Sequence, residues 1–514
     1  MQEGKRQGSS AKNQAPAADE MPGFIRWLER RPTLLLLLVL FVLQTAIHFR
    51  YLNYPPGSFH QFRQTQTLSV ARNFYEESGS IFKPRVDNRE QYTGITGMEF
   101  PLVNYTIALG YRIFGFGNAV SRVTLLLFSF IGLWGCFLFA QRFFRSKAIG
   151  FLAAAMLLFS PLFVYYSITA LPDIPAMSFM FLSLGLWVSY RENNSWWYLS
   201  LCMVSLLIAG LVKITCLIAF AYYFYDMLRG SRAADWKRPN SLIALAGMAI
   251  VTGLVGGWYL YARHLDIEYH VNAFRLGSSF STDPTVIYNA LKRTFVQWLP
   301  ELYINYAQFV LFCIGWYALI VGREVKERVF VTAFVVALGA YYVAELSAFR
   351  VHNYYMIPAL PLLIFLVTLG LRFMLRRWNT HRWVSLLTIL LLVAIPILGC
   401  ARALPRFARI DRADDLYHIE AGLQGVIPMN ALIVAASDES PSIYLYAMHR
   451  KGWSIRDNIP AETFREIIVH GARYLVSDSR KLEDRPEIRQ YLTPIASSGR
   501  FNIYSLAIPP SDAP

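Results

Sequence analysis

Three charged side chains stand where the surrounding sequence is apolar. Asp173 lies between two prolines in Leu171-Pro-Asp-Ile-Pro175, at the mouth of one apolar segment. Glu99 lies in Gly97-Met-Glu-Phe-Pro101, just ahead of another. Lys213 interrupts apolar sequence on both sides. A carboxylate at such a depth either caps a helix or serves as a base or metal ligand. A lysine at the centre of a membrane helix costs about 2.5–3.5 kcal/mol unless it reaches the surface or pairs. An anionic phosphate is a natural partner for it. Other polar residues fall in the loops on the same side: His60, Arg63, Gln64, Gln66, Arg72, Asp87, His264, Arg350 and His352. For any single arginine among them, a solvated loop position is the simpler reading. Together they point to a shared site at one lip of a membrane.

The elements that must position these residues are membrane spans. The 514 residues are 55% hydrophobic and only 16% charged, too apolar for a soluble chain of this length. The apolar residues fall in blocks of roughly 17 to 22, the length that crosses a hydrocarbon core. The net charge of +15 sits between those blocks, which excludes nucleic acid as the meaning of the basic balance and follows the positive-inside rule. The five cysteines all lie in apolar segments without a CxxC pair, so neither a disulfide framework nor a zinc knuckle is expected.

Arg26, Arg30 and Arg31 precede the first apolar run and place the amino terminus inside. Basic loops then recur at Arg142–Lys147, Arg191, Arg229–Arg238, Arg323–Arg328 and Arg372–Arg382. They are consistent with about eleven spans and an uncleaved first one. The apolar stretch 100–116 carries Asn104 and Arg112. Counting it as a span would reverse every later loop, so an interfacial helix is expected there. The expected organisation is a disordered tail over 1–22 and a transmembrane domain over 23–403. Within it, 51–121 forms the first outer loop. A small α/β domain outside the membrane follows over 404–514. In that domain, strands are expected at 431–436, 473–477 and near 501–508, and helices at 441–449 and 462–470.

At these residues the chain resembles the GT-C glycosyltransferase superfamily, in particular the protein O-mannosyltransferases and the lipid A aminoarabinose transferases. The resemblance rests on Gly97-Met-Glu-Phe-Pro101, Leu171-Pro-Asp-Ile-Pro175, Lys213 and His352-Asn-Tyr-Tyr-Met-Ile-Pro358, in that order, over about 30–375. The segments His60-Gln-Phe-Arg-Gln-Thr-Gln-Thr67 and Ala71-Arg-Asn-Phe74 look like a bacterial subgroup with an H-x-W-R-Q-type loop, Phe62 holding the aromatic position. The resemblance implies transfer of a sugar from a polyprenyl-phosphate carrier, with inversion, to a lipid, glycan or protein acceptor at the outer face of a bacterial plasma membrane.

One departure stands out. The better-known members carry an acidic residue early in the first outer loop, where this chain has Arg63, Gln64, Thr65 and Gln66. Glutamine cannot take the proton. Asp173, Glu99 and Asp87 are then the candidate bases. Arg63, Gln64, Gln66, Lys213, Arg350, His352, Tyr354 and Tyr355 are the candidate substrate-binding residues. No cofactor is required by this reading. A divalent cation on Glu99 with His264 or His270 is an option that the resemblance adds. A transporter or flippase of a lipid-linked substrate, and a non-catalytic assembly protein, are the competing classes. A transporter, however, is expected to place polar groups near the midplane and often shows an internal repeat.

Overall fold

The structure is a computed structural model that describes residues 22–90, 93–230, 239–274, 277–322 and 324–508. The tail expected to be disordered falls almost wholly outside the described residues, as do Arg232, Lys237, Arg238 and Arg323 of the basic loops.

A short amphipathic helix, α1 (Gly23–Arg30), leads into the apolar α2 (Thr33–His48). The outer loop follows, carrying α3 (Gln61–Glu76) and α4 (Leu102–Phe114), the latter where the interfacial helix is expected. The bundle continues with α5 (Asn118–Phe144), α6 (Lys147–Leu158), α7 (Pro161–Tyr166), α8 (Asp173–Asn193) and α9 (Trp196–Val212). Then come α10 (Ala219–Gly230), α11 (Pro239–Glu268), α12 (Pro284–Leu291), α13 (Tyr306–Val321), α14 (Val325–Ala344), α15 (Leu360–Leu375) and α16 (Arg382–Ala408).

Among the described residues, six helical segments are long and apolar enough to cross a membrane by length and composition, and a bent pair around α13 makes up to seven. The chain is therefore a multi-pass membrane protein. Other expected spans are shorter or broken. The stretch 148–168 is not one helix but α6 and α7, parted at Ser160 and Pro161. Proline lacks the N–H that a continuous helix needs there and suits the first turn of a new one. The expected outer loop over 263–302 is helical from Pro284, with a π-helix at Lys292–Tyr303 that meets α13 at 115°.

Burial sorts the helices. The span that includes α15 has 89% of its apolar window buried, whereas α2 and α16 have 22%. The first sits at the centre of the bundle, and the other two present leucine-rich faces outward, where lipid is the matching solvent. At glycines the bundle helices meet closely: a Cβ on Gly370 of α15 would come within 1.9 Å of the Leu311 carbonyl oxygen of α13, and one on Gly135 of α5 within 2.4 Å of the Leu182 backbone nitrogen of α8. Small residues let membrane helices approach this closely.

Beyond α16 the chain forms a small α/β domain. Its strands are β1 (Leu432–Ala436), β2 (Lys451–Ile455), β3 (Tyr474–Ser477), β4 (Leu492–Ser498) and β5 (Phe501–Leu506), in the order β2-β1-β3-β5-β4. The first three are parallel and the β4–β5 hairpin is antiparallel. Its helices include α17 (Ile419–Leu423), α18 (Ile443–Ala447) and α19 (Ala461–Val469). Strands β2 and β4 were not expected from the sequence.

This domain is docked on the outer loop. Helix α18 packs against α3. The edge strand β2 is covered by backbone hydrogen bonds, Arg89 N–H to Gly452 C=O at 2.7 Å and Gly452 N–H to Asp87 C=O at 3.1 Å. Covering an edge strand satisfies its unpaired groups and blocks stray pairing.

Candidate active site

Helix α3 is polar yet buried from Arg63 to Phe74, because α4 lies on one side and the C-terminal domain on the other. Buried polar groups need partners, and the helix finds them in all directions. Thr65 Oγ1 meets Ser442 Oγ of the C-terminal domain at 3.0 Å. Gln64 Nε2 donates to the carbonyls of Gly57 and Phe59, both at 2.9 Å. Gln66 Nε2 donates to the Ala273 carbonyl.

At the amino-terminal end of α3, Arg63 donates from Nη2 to Glu99 Oε1 at 2.6 Å and from Nη1 to Gln66 Oε1 at 3.0 Å. Glu99 is brought there by a backbone clamp. Asp266 of α11 accepts from Gly97 N–H at 2.7 Å, and the Trp258 indole donates to the Met98 carbonyl at 3.0 Å. Gly97 must be glycine: a Cβ would lie 1.9 Å from the Ala262 carbonyl oxygen. Phe100 N–H then donates to the Leu211 carbonyl, tying this segment to the end of α9.

Lys213 closes α9 in an extended conformation. Its Nζ lies 3.4 Å from Glu99 Oε1 and 3.6 Å from Asp173 Oδ1, with the Tyr355 ring 5.6 Å away. Two cations and two carboxylates thus meet inside the protein. Burial opposes the charged form of Glu99, but the charges of Arg63 and Lys213 outweigh it and hold the carboxyl at about 2.

The cluster borders a cavity of about 720 Å³. Arg63, Gln66, Glu99, Lys213, His352, Tyr354 and Tyr355 line it, as does His60 at the start of α3. The size is that of a small-molecule site. Asp173 does not line the cavity but stands behind Lys213. Neither of its buried carboxylate oxygens has a hydrogen-bond partner among the described residues, and neither does Glu99 Oε2.

Three expected site residues lie elsewhere. Asp87 does not join the cluster: its Oδ2 accepts from Arg72 at 2.6 Å and its Oδ1 from Asn73 at 3.1 Å, at the junction with the C-terminal domain. A carboxylate so paired is a structural anchor rather than a base. Gln64 spends its amide on the 57–59 turn and does not line the cavity. Arg350 is exposed and outside the lining.

The sequence reading missed the far wall. Asp438, Glu439, Ser440 and Arg456, all of the C-terminal domain, border the same cavity, as does Phe274, whose ring lies 4.5 Å from the Arg63 guanidinium carbon. Only the docking of α18 on α3 brings them there, and no local pattern signals it.

The residues offered for a divalent cation do not fit one. Glu99 is taken by Arg63 and Lys213, and His264 faces outward beside Glu268 at 3.4 Å. Among the described residues, no three His, Cys, Asp or Glu side chains are grouped to hold a metal ion.

Comparison with known proteins bears on the fold. Residues 99–261 match the family described as dolichyl-phosphate-mannose-protein mannosyltransferase, a stretch that holds Glu99, Asp173 and Lys213. An uncharacterised protein of Aquifex aeolicus (strain VF5) is 31% identical over 185 residues, and the match spans 34% of the chain and 34% of that relative. The crystal structure of ArnT from Cupriavidus metallidurans bound to undecaprenyl phosphate superposes with a TM-score of 0.65 at 12% identity, covering 91% of this chain and 97% of that one. Its apo state gives 0.62 over the same shares. The apo Archaeoglobus fulgidus oligosaccharyltransferase gives 0.51 at 12% identity, over 91% of this chain and 73% of that one. The chain shares the fold of ArnT over nearly its whole length.

Proposed function

We propose that this chain is an inverting glycosyltransferase that moves a sugar from a polyprenyl-phosphate carrier to a lipid, glycan or protein acceptor, at the outer face of a bacterial plasma membrane. The observation that carries the reading is Lys213, held at the wall of the cavity beside Arg63, Glu99 and Asp173. The likeness to ArnT bound to undecaprenyl phosphate supports it.

The carrier's phosphate meets Lys213 first. Lys213 lies 3.4 Å and 3.6 Å from its carboxylates, long contacts for an ion pair, and its three-donor ammonium is the more easily redirected group. Arg63 is fixed by Glu99 and Gln66 and supplies a standing positive field. As the bond from the anomeric carbon to the phosphate oxygen breaks, charge grows on the leaving phosphate. Preorganised cations stabilise it more in the transition state than before. Glu99 and Asp173 balance the cations when the carrier is absent, which limits the cost of burying them. Tyr354 and Tyr355 form the wall beside the sugar. The basic loops on the opposite side orient the cavity outward.

The test is a comparison of cell-surface glycans by mass spectrometry between cells with and without the gene, and cells carrying Lys213→Met. The account expects one glycan or glycolipid to lose a sugar in both. Identical glycans in all three would overturn it.

A further inference from the structure

Once the carboxylates are placed, the cavity wall lacks an obvious proton acceptor. Glu99 is held as an anion by two cations. Asp438 caps α18, its Oδ2 accepting from Tyr444 N–H at 2.9 Å and its Oδ1 from Ser440 N–H at 2.8 Å. Glu439 is exposed at the rim. Two histidines remain. The rings of His60 and His352 lie 5.3 Å apart, both on the wall, with the Tyr354 ring 4.8 Å from His60 and 5.4 Å from His352. Each has one buried ring nitrogen with no hydrogen-bond partner among the described residues, Nε2 of His60 and Nδ1 of His352. A buried polar atom left without a partner is costly and asks for an explanation.

We infer that His60 is the general base of the transfer, taking on Nε2 the proton of the acceptor hydroxyl. The inference rests on the glycosyltransferase reading above and supplies the group that the first outer loop otherwise lacks. His60 sits in the left-handed region, φ +56°, at the turn into α3. That turn aims the ring across α3 towards the 352–355 segment. Asn353 hydrogen-bonds the ring in the sense that favours protonation, and the Asn353 oxygen is itself fixed by the Tyr166 hydroxyl. With Nε2 the unpartnered nitrogen, the tautomer protonated on Nδ1 keeps its lone pair free to accept. Asn353 and Tyr166 are then positioning residues.

The step balances. The acceptor oxygen forms its bond to the anomeric carbon as the bond from that carbon to the phosphate oxygen breaks. The electron pair leaves with the polyprenyl phosphate, the proton passes to His60, and the imidazolium later returns it to water at the cavity mouth. The charged groups facing His60 are His352 and Arg406, and Lys213 and Arg63 act on His352. Burial and then its neighbour's charge push His60 down to about 4, and burial with the Lys213 charge does the same to His352. The free enzyme therefore holds neutral imidazoles. The donor's phosphodiester monoanion on Lys213 and Arg63 offsets part of that positive field, and the second negative charge that grows as the phosphate leaves offsets more of it, so an imidazolium is favoured only while donor or leaving phosphate is bound. The base is thereby coupled to the donor, which suppresses idle proton uptake.

The experiment uses full-length protein and two readouts. His60→Asn is the chosen variant, since asparagine is among the non-glycine residues that best tolerate the left-handed turn. In cells with equal protein levels, the rate of product glycan labelling should fall by about 10² to 10⁴, the range for losing a general base. The purified variant should still bind undecaprenyl phosphate within a factor of about three of wild type. In ¹³Cε1-histidine NMR, the resonance that His60→Asn removes should titrate at higher pH once undecaprenyl phosphate is added. Product formation within threefold of wild type in His60→Asn would overturn the inference and leave the donor reading standing. So would a His60 titration that undecaprenyl phosphate leaves unmoved. Failure of wild type to bind undecaprenyl phosphate would overturn both.

Discussion

Helix α3 carries two buried arginine–carboxylate pairs of the same length, Arg63–Glu99 and Arg72–Asp87, each 2.6 Å. They differ in what is left over. At Asp87 both carboxylate oxygens are taken, one by Arg72 and one by Asn73, and Arg72 also donates to the Tyr446 carbonyl of the C-terminal domain at 3.0 Å. At the other end, among the described residues, Glu99 keeps one oxygen without a hydrogen bond, Asp173 has only the 3.6 Å ion pair of its Oδ1 with Lys213, and His60 and His352 each keep a nitrogen. Around the first pair, unspent hydrogen-bonding capacity gathers beside a cavity. Around the second, a network ties two domains together. Arg72 Nε and Asn73 Oδ1 are likewise buried without a partner among the described residues, so it is the cavity beside the first pair, not leftover atoms alone, that separates chemistry from anchoring along this helix.

The largest effect expected is on the anchoring end. Asp87→Ala leaves the Arg72 charge buried and unpaired, and removing one partner of such a pair costs about 3–5 kcal/mol. Chemical unfolding in detergent should register that loss, while undecaprenyl phosphate binding per folded molecule stays close to wild type. A variant that is stable but inactive would erase the distinction between the two ends.

Next comes Lys213→Met. It should lower the transfer rate by about 10² to 10³, as for loss of one charge-stabilising group. It should also cost stability, because Asp173 is left buried without its ion-pair partner, though less than Asp87→Ala because that 3.6 Å contact is long. A large stability loss with normal activity would recast Lys213 as a second anchor.

A smaller effect concerns pH. His449 of the C-terminal domain sits between Glu420 Oε1 at 2.8 Å and Glu76 Oε1 of α3, with Lys451 Nζ 3.2 Å from the other Glu76 oxygen. Burial lowers the His449 value, but the two carboxylates outweigh it and raise it above the usual 6.5. Its contribution is complete below 6.5 and is lost as pH rises through the raised value. Glu76 is opposed by burial but held at about 2 by His449 and Arg72, so its contribution is present above 4.5 and fades as pH falls towards 2. Docking of the two domains should therefore be strongest between those limits. His449→Gln should remove the alkaline decline at a cost of about 1 kcal/mol, in line with a partly exposed ionic network. Hydrogen exchange of the C-terminal domain against pH reads this directly. An unchanged alkaline limb would contradict it.

The smallest expected change is from Thr65→Val. It removes the 3.0 Å contact with Ser442 and should cost about 1 kcal/mol, seen as faster exchange in α18.

The sequence foreshadowed the cluster better than the anchor. Glu99, Asp173 and Lys213 announce themselves as charges in apolar surroundings, where the cost of burial forces them to meet. Arg63 follows from the polar segment that begins at His60. The role of Asp87 was not legible, because its partner Arg72 lies across an irregular loop with no period to align them. Arg350 looked like a site residue for its place beside His352, but the chain turns it outward. The C-terminal wall was hidden for another reason. Local patterns encode β1 and α18, not the surface on which they dock. Strand β2 carries Gly452 and β4 carries Pro494, residues that weaken a strand signal. Proline 161, visible from the start, broke a span that hydropathy alone joined.

The central claim is that the cavity beside Lys213 holds the phosphate of a polyprenyl carrier, and native mass spectrometry of the purified full-length chain with undecaprenyl phosphate tests it most directly. The account predicts binding by wild type and by the folded fraction of Asp87→Ala, and at least about tenfold weaker binding by Lys213→Met, the loss of one charge-assisted contact. Equal affinity of wild type and Lys213→Met would contradict it.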